Sequence, residues 1–577
     1  MSGYGLNYHR RSFFPQLIRI ILVIATVVVL SFAAYSSFIY VKELFFSRDM
    51  YVGSTESRVQ LIEDFNTLSL SLDDVPRGAK VTTYGMGKKI EVSNEKFYRV
   101  TYKNPSGETI EGYIDANNIV EKYEDVVYEK EVYALSNTYI SDTSDFLTLS
   151  ANVTKGEKFT ITGWDLNPNG TVEWYYLENI DRKGYSSGKY FSENQASALL
   201  NYDINKYFSS KDLLHLDFRP RLKNDFMSNP RVDELRAWYL TAENLITVTD
   251  FITEAKKTNI NTFVIDFKVN EGITYESQIV GELASKTVNL TDFSKHQLAE
   301  IVKLLKDNNI YTVARIEIFK DQGYALSNPE STIKYKDGRD FDDGYGNFYV
   351  NPESKDSWSY NLLIAKEAVE VGFNEVLLDF VRYPNVKLSI DDQLDYTEYT
   401  SKEEQIQTFS RYMYDQLSRE EVYVSATTLG QVAYFEKSDG LIHGQQWHMM
   451  SNIYDYLYPR MFIENYASSY LSGRSPFKYQ YDMIYLLNTE ANQLNQIISK
   501  AAEIRPIIQC YNNWGYYDWQ NIDGKRLERQ IQAIYDNGNK GFVAWTDDDT
   551  IEKYLYSDRL EAFKVEYIKS EYSGSFE

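Results

Sequence analysis

The sequence predicts an α/β protein in three parts: a C-terminal (β/α)8 TIM barrel over residues 218–570, two small all-β modules over 50–125 and 126–200, and one N-terminal transmembrane helix over 20–41. Three observations predict this. Beyond residue 218, eight short apolar runs alternate with helix-length amphipathic ones, the count and order of a closed parallel barrel. Residues 50–200 instead carry short alternating runs broken by Gly, Asn and Asp, with no sustained helical period. Residues 20–41 form a run of 22 without a charge.

The barrel strands are expected at 236–240, 262–266, 311–316, 375–379, 422–426, 454–457, 505–509 and 541–545. They are continuous and apolar, as parallel strands buried on both faces must be. Between them lie runs such as Leu298–Leu305 and Leu362–Val369, with apolar residues on one helical face.

The N-terminal run is long enough to cross a hydrocarbon core of ~30 Å at a rise of ~1.5 Å per residue. Arg10, Arg11 and Arg19 precede it, whereas Lys42 with Glu43 and Arg48 with Asp49 follow it in balance. This asymmetry predicts a cytoplasmic segment 1–19 and a single-pass cell-membrane protein whose C-terminal domain is extracellular. A cleaved signal peptide ending near Ser31-Phe32-Ala33 is the competing reading, and the apolar continuation through Val41 argues for retention. The single cysteine, Cys510, excludes an intrachain disulfide framework. Export without disulfides fits a Gram-positive surface protein. A net charge of −23 with no basic stripe excludes nucleic acid as a natural partner.

Two units repeat within the β region. Val75-Pro76-Arg77-Gly78-Ala79-Lys80-Val81 parallels Val153-Thr154-Lys155-Gly156-Glu157-Lys158-Phe159. Phe97-Tyr98-Arg99-Val100 followed by Gly112-Tyr113-Ile114 parallels Trp174-Tyr175-Tyr176-Leu177 followed by Gly184-Tyr185-Ser186. These units resemble bacterial SH3-like domains, a resemblance that implies either peptidoglycan binding or a spacer between membrane and barrel.

In a TIM barrel the chemistry sits at the C-terminal ends of the strands. There the sequence places Asp266 and Lys268 on the second strand, and Arg315, Glu317 and Asp321 on the third. Asp379 and Arg382 follow on the fourth, Arg460 and Glu464 after the sixth, and Trp545 with Asp547 on the eighth. Converging carboxylates among cations suit glycosidic hydrolysis: one carboxylate attacks or activates water, and a second, kept protonated by burial, protonates the leaving oxygen. Asp379 is the leading candidate for the first role, with Arg382 three residues on to favour its charge. The competing reading is a structural Asp–Arg pair closing the strand end.

Ile265-Asp266-Phe267-Lys268, Ala314-Arg315, Phe319-Lys320-Asp321, Asn351-Pro352 and Leu378-Asp379-Phe380-Val381-Arg382-Tyr383-Pro384 resemble a family of bacterial TIM-barrel proteins of glycoside-hydrolase type. Gly444-Gln445 and Arg505-Pro506-Ile507-Ile508-Gln509 continue the resemblance in order, over roughly 230–555. It implies the barrel fold and a site around Asp379, with Asp266, Lys268, Arg315 and Asp321 nearby. Arg382, Gln445, Trp545 and Asp547 are further candidates for substrate contact. One departure matters: the family's fifth strand usually ends in an Asp where this chain has Thr427. Glu317, Glu464 and Asp547 are the candidates to take over that carboxylate's role, and a barrel that binds glycan without cleaving it is the alternative. The expected partner is a polysaccharide or peptidoglycan.

No cofactor or metal is expected. Asp337, Asp340, Asp342 and Asp343 read as a hydrated loop without EF-hand spacing. His443 and His448 lack zinc-helix spacing. Cys510 lies in an apolar run as a small buried hydrophobe, and Trp447, Trp514, Trp519 and Trp545 are candidates for stacking on sugar rings.

Overall fold

The computed structural model describes residues 22–32, 34, 35, 38, 47–53, 58–63, 71–84, 90–92, 95–104, 107–126, 130–166, 172–199, 216–219, 221–396, 401–435, 443–512, 522–546 and 558–570. Residues 22–32 are helical, and within the predicted span 20–41 residues 20, 21, 33, 36, 37 and 39–41 lie outside the described residues. Among the described residues no helix is long and apolar enough to cross a membrane.

Contacts divide the chain into two compact units, Met1–Val127 with Leu166–Val172, and Tyr128–Asp165 with Glu173–Glu577. The first contains an all-β module packed around Val52, Leu61, Val75, Val81, Val100 and Ile114. The second begins with another all-β module and continues into the barrel. Setting aside the extra strand Ile90–Val92, the seven strands of each module follow one order along their sheet: third, second, sixth, fifth, fourth, first, seventh. The repeated closing Gly-Tyr has a physical cause. A Cβ on Gly112 would lie 2.8 Å from the Ile62 carbonyl oxygen, and one on Gly184 would lie 2.5 Å from that of Ser141. In both modules the glycine therefore lets the sixth strand close on the second.

Eight parallel strands close the barrel: β1 (Leu235–Leu240), β2 (Thr262–Val269), β3 (Tyr311–Glu317), β4 (Glu375–Asp379), β5 (Tyr423–Leu429), β6 (Tyr456–Met461), β7 (Ile507–Gln509) and β8 (Gly541–Trp545). Pairing of β8 with β1 and of β1 with β2 completes the circle. Each strand is followed by a helix: α1 (Val248–Ala255), α2 (Lys295–Asp307), α3 (Lys355–Val371), α4 (Lys402–Leu417), α5 (Trp447–Ile453), α6 (Gln480–Asn495), α7 (Gly524–Asp536) and α8 (Arg559–Ala562). Ser294 with Gln297 and Ser401 with Glu404 form capping boxes that start α2 and α4. Gly372, in the left-handed region, ends α3. β4 and β8 fall where the sequence sets them. β6 begins later, at Tyr456, because α5 runs on to Ile453, so Arg460 lies within the strand.

The second module packs against α4. Tyr190 and Lys189 both donate to the buried Asp415, and the Tyr412 hydroxyl donates to the Phe146 carbonyl at 2.9 Å. Asn152 donates to Gln405 at 3.3 Å.

One apolar core lies between strands and helices, and a second fills the barrel with Ala237, Val264, Val313, Leu377, Ile507 and Val543. Below this apolar layer Glu375, fully buried at the start of β4, accepts from Ser425 at 2.6 Å, Tyr458 at 2.7 Å and Arg505 at 2.6 Å. This network lies at the end opposite the expected chemistry, where it serves stability. Replacing Arg505 by Met leaves Glu375 buried without its cation; chemical denaturation should register a loss of about 3–5 kcal/mol.

Candidate functional site at the barrel mouth

The parallel ladder sets the level of the site. Asp266 on β2 pairs in register with Arg315 on β3, and Glu317 on β3 with Asp379 on β4. With strands ~4.8 Å apart, these side chains enter the barrel as near neighbours. Arg315 occupies the centre. Its Nε donates to Asp379 at 2.7 Å, its Nη1 to Asp266 at 2.6 Å, and its Nη2 to Glu317. One buried guanidinium thus holds three carboxylates from three strands, an arrangement that a planar fork of donors can make and an ammonium cannot.

The three carboxylates have different surroundings. Asp379 is enclosed by donors: Oδ1 accepts from its own following N–H, on Phe380, at 2.7 Å and from the Thr427 hydroxyl, while Oδ2 accepts from Arg315 and from Arg460. These four donors fill the ~four lone-pair directions of a carboxylate. Burial opposes its charge, but Arg460, Arg315 and Thr427 outweigh burial and hold its carboxyl well below the usual range. Glu317 accepts from Arg315 and, at 2.9 Å, from the Asn270 N–H. Burial pushes Glu317 up against the pull of Arg315, and the charge of Asp379 adds to the rise. Burial likewise raises Asp266 against Arg315 and the Tyr239 hydroxyl, which donates to it at 2.5 Å. Carboxyls forced apart in proton affinity within one site are the pattern of acid–base chemistry.

Aromatic rings line the same mouth. Trp545 stacks on Tyr239 with centroids 3.7 Å apart and planes 11° from parallel, and the Arg315 guanidinium lies 4.7 Å from the Trp545 ring. Phe380 has φ of 52°, the left-handed region where a bulky residue is strained. Its ring enters a small core built by the third and fourth βα loops with Ile333, Phe341, Tyr349 and Leu394.

Of the residues singled out in the sequence, Asp266, Arg315, Glu317, Asp379 and Trp545 come together. Lys268 and Asp321 do not reach the mouth. The ladder slips by one residue between Asp266 and Lys268, and the bulge turns Lys268 outward, where its ammonium meets Asp321 at 2.5 Å and Asn361 of α3 at 3.0 Å. The pair is enclosed, and Asp321 also caps the short helix Gln322–Ser327. Arg382 makes no ion pair with Asp379: the turn at Phe380 carries its guanidinium to the Tyr383 carbonyl at 3.1 Å, and Arg315 and Arg460 supply the charges expected of it. Gln445 is a buried brace, donating to the carbonyls of Thr427 at 3.0 Å and Val381 at 3.3 Å. Glu464 stands exposed, bound by the Tyr511 hydroxyl and apart from the three carboxylates on Arg315. Asp547, Trp514 and Trp519 lie outside the described residues.

Trp447 is wholly buried in the core, with its indole N–H on Asn495 at 2.9 Å, and is not a sugar platform. Burial pushes the Cys510 thiol up to about 12, which leaves it inert. No group among the described residues gathers ligands for a metal ion. Tyr239 and the left-handed Phe380 are site features that strand reading alone misses. A separate surface groove of about 580 Å³ lies between α6 and α7, but its Asn492 and Asn537 amides are spent on each other and on the helix backbone.

A closed parallel barrel with acidic and cationic side chains converging at the strand ends defines a glycoside-hydrolase type of domain. Residues 237–550, more than half of the chain, match the family described as "Putative glycosyl hydrolase domain", and the chain belongs to this family. No curated protein matches the chain. Among solved structures it is similar to a hypothetical protein from Ruminiclostridium thermocellum, at 31% identity, over 33% of this chain and 96% of that one, with a TM-score of 0.28. It is also similar to the PgaB (BpsB) glycoside hydrolase domain from Bordetella bronchiseptica, at 11% identity over 58% and 99% of the chains, TM-score 0.41. A third is the β-N-acetylhexosaminidase from Bacteroides fragilis, at 14% identity over 59% and 67%, TM-score 0.39.

Substituting Arg315 by Lys keeps one charge but loses the three-way fork. The expected result is a loss of about 3–5 kcal/mol in denaturant unfolding, because the carboxylates stay buried with their shared partner gone.

Proposed function

We propose that this protein is a membrane-anchored cell-surface glycoside hydrolase that cleaves glycosidic bonds in cell-wall or surface polysaccharide. The uncharged run 20–41 supports the anchor, with the β modules and barrel outside the cell. The modules are read as SH3-like. The observation that carries hydrolysis is the triple engagement of Arg315, which brings an ionised Asp379 beside a Glu317 whose proton is held more tightly.

In this reading Glu317 is the general acid and gives its proton to the leaving oxygen. Asp379 is the anionic partner. Arg460 is half-buried and forms the outermost of its ion pairs, so a bound sugar that draws Arg460 away frees a lone pair on Oδ2. That oxygen then attacks the anomeric carbon or takes a proton from water. The Tyr239–Trp545 stack offers an apolar platform for a sugar ring.

A second reading is favoured by one specific observation. Asp379 has no unfilled lone-pair direction, and Thr427 adds a hydroxyl donor to it where the resembling family usually has a carboxylate. A barrel so locked would bind glycan without cleaving it.

Release of reducing ends from purified cell-wall glycan separates the two. Hydrolysis predicts turnover by the wild type that falls ~10²–10⁴-fold in Glu317→Gln and at least as far in Asp379→Asn. Glycan binding without turnover by any of the three proteins would favour the second reading.

A further inference from the structure

The mouth of this acidic chain also gathers cations. Three cations from three different elements surround the Phe380 ring: Lys320 after β3 with its ammonium 5.3 Å from the centroid, Arg382 after β4 at 4.7 Å, and Arg460 on β6 at 4.8 Å. Only Arg460 has an ion-pair partner, Asp379. Among the described residues Lys320 and Arg382 pair with no carboxylate, and the Arg382 guanidinium donates only to the Tyr383 carbonyl next to it in the chain. Burial and the charge of Arg460 weigh against the charge on Arg382, while Tyr349, Asp379 and Glu317 favour it from beyond ion-pair distance.

A second observation points the same way. Arg460 is held between the rings of Phe380 and Trp545, at 4.8 and 5.5 Å, and its Nε is buried without any acceptor. A buried N–H that lacks an acceptor costs about 1–3 kcal/mol, which an incoming oxygen would recover. The nearby acids act on Lys320 and Arg382 only at longer range, Glu317 and Asp343 on Lys320 and Asp379 and Glu317 on Arg382. Asp266, Glu317 and Asp379 are engaged by Arg315, and Asp343 accepts from the N–H groups of Tyr345 and Asn347. In a chain of net charge −23, two cations without an ion-pair partner at the mouth of the barrel are a selective feature.

We propose that the mouth recognises a saccharide carrying an oxyanion, a carboxylate or phosphate on the sugar, seated against Lys320, Arg382 and Arg460. The proposal rests on reading the mouth as a saccharide site and names its substrate class. An oxyanion there would also compete with Asp379 for Arg460, and so would loosen the ion pair that closes the candidate catalytic carboxylate.

Binding to the full chain, read by isothermal titration calorimetry, tests this without requiring turnover. Three probes of equal length serve: a neutral N-acetylglucosamine tetrasaccharide, one alternating N-acetylglucosamine with glucuronate, and a 6-phosphorylated tetrasaccharide. At least one anionic probe should bind ~10-fold or more tightly than the neutral one, the worth of one charge-assisted contact, and should weaken as salt is raised. The arm that wins tells carboxylate from phosphate. Arg382→Gln should reduce the preference ~5–10-fold, and so should Lys320→Gln, which tests a half-buried side chain that holds no ion pair. Equal binding of all three probes, or a preference that survives both substitutions, overturns the proposal. A protein that binds the anionic probe and cleaves nothing upholds it while removing hydrolysis. Turnover of neutral glycan without the preference does the reverse.

Discussion

The structure of the barrel mouth depends on one guanidinium satisfying three carboxylates. Removing Arg315 and its partners from water costs several kcal/mol per ion, so the arrangement is tolerable only where geometry is fixed. The ladder fixes it. Asp266 is in register with Arg315, and Glu317 with Asp379, so hydrogen bonds of the backbone set the level at which the charges meet. The barrel carries a second buried ionic layer at its other end, around Glu375 and Arg505, with an apolar layer between. In that lower layer the charges are satisfied by Ser425, Tyr458 and each other. In the upper layer Glu317 and Asp266 keep unfilled lone pairs, which separates a site from a brace.

The inequality of the upper carboxylates follows from their neighbours. Asp379 receives two guanidiniums, a hydroxyl and the backbone N–H of Phe380, a residue that itself adopts a left-handed φ. Phe380 also anchors the third and fourth βα loops to the mouth through its ring. Glu317 and Asp266 share Arg315 without a second ion pair of their own, and burial then governs them.

Much of this was legible in the sequence. Apolar runs of strand length gave the barrel, and Val376-Leu377-Leu378 leading into Asp379 marked the mouth. The repeated glycines at 112 and 184 marked the β modules because each serves the same close approach. What sequence could not supply was the direction of side chains after a strand loses its regular pleat. The bulge at Phe267 turned Lys268 into the strand–helix layer, and the left-handed turn at Phe380 sent Arg382 away from Asp379. Arg460 takes over that contact because β6 extends four residues further than its apolar run suggests, and a period-two reading carries no information about such an extension.

The central claim is that Arg315 and its surroundings separate the protonation of Glu317 from that of Asp379. Carboxyl-stretch infrared difference spectra across a pH titration, with Glu317→Gln and Asp379→Asn used to assign the bands, test it most directly. The account predicts that Glu317 takes up its proton above the ordinary carboxylate range while Asp379 stays ionised throughout the folded range. Bands of both residues titrating together at ordinary carboxylate values would contradict it.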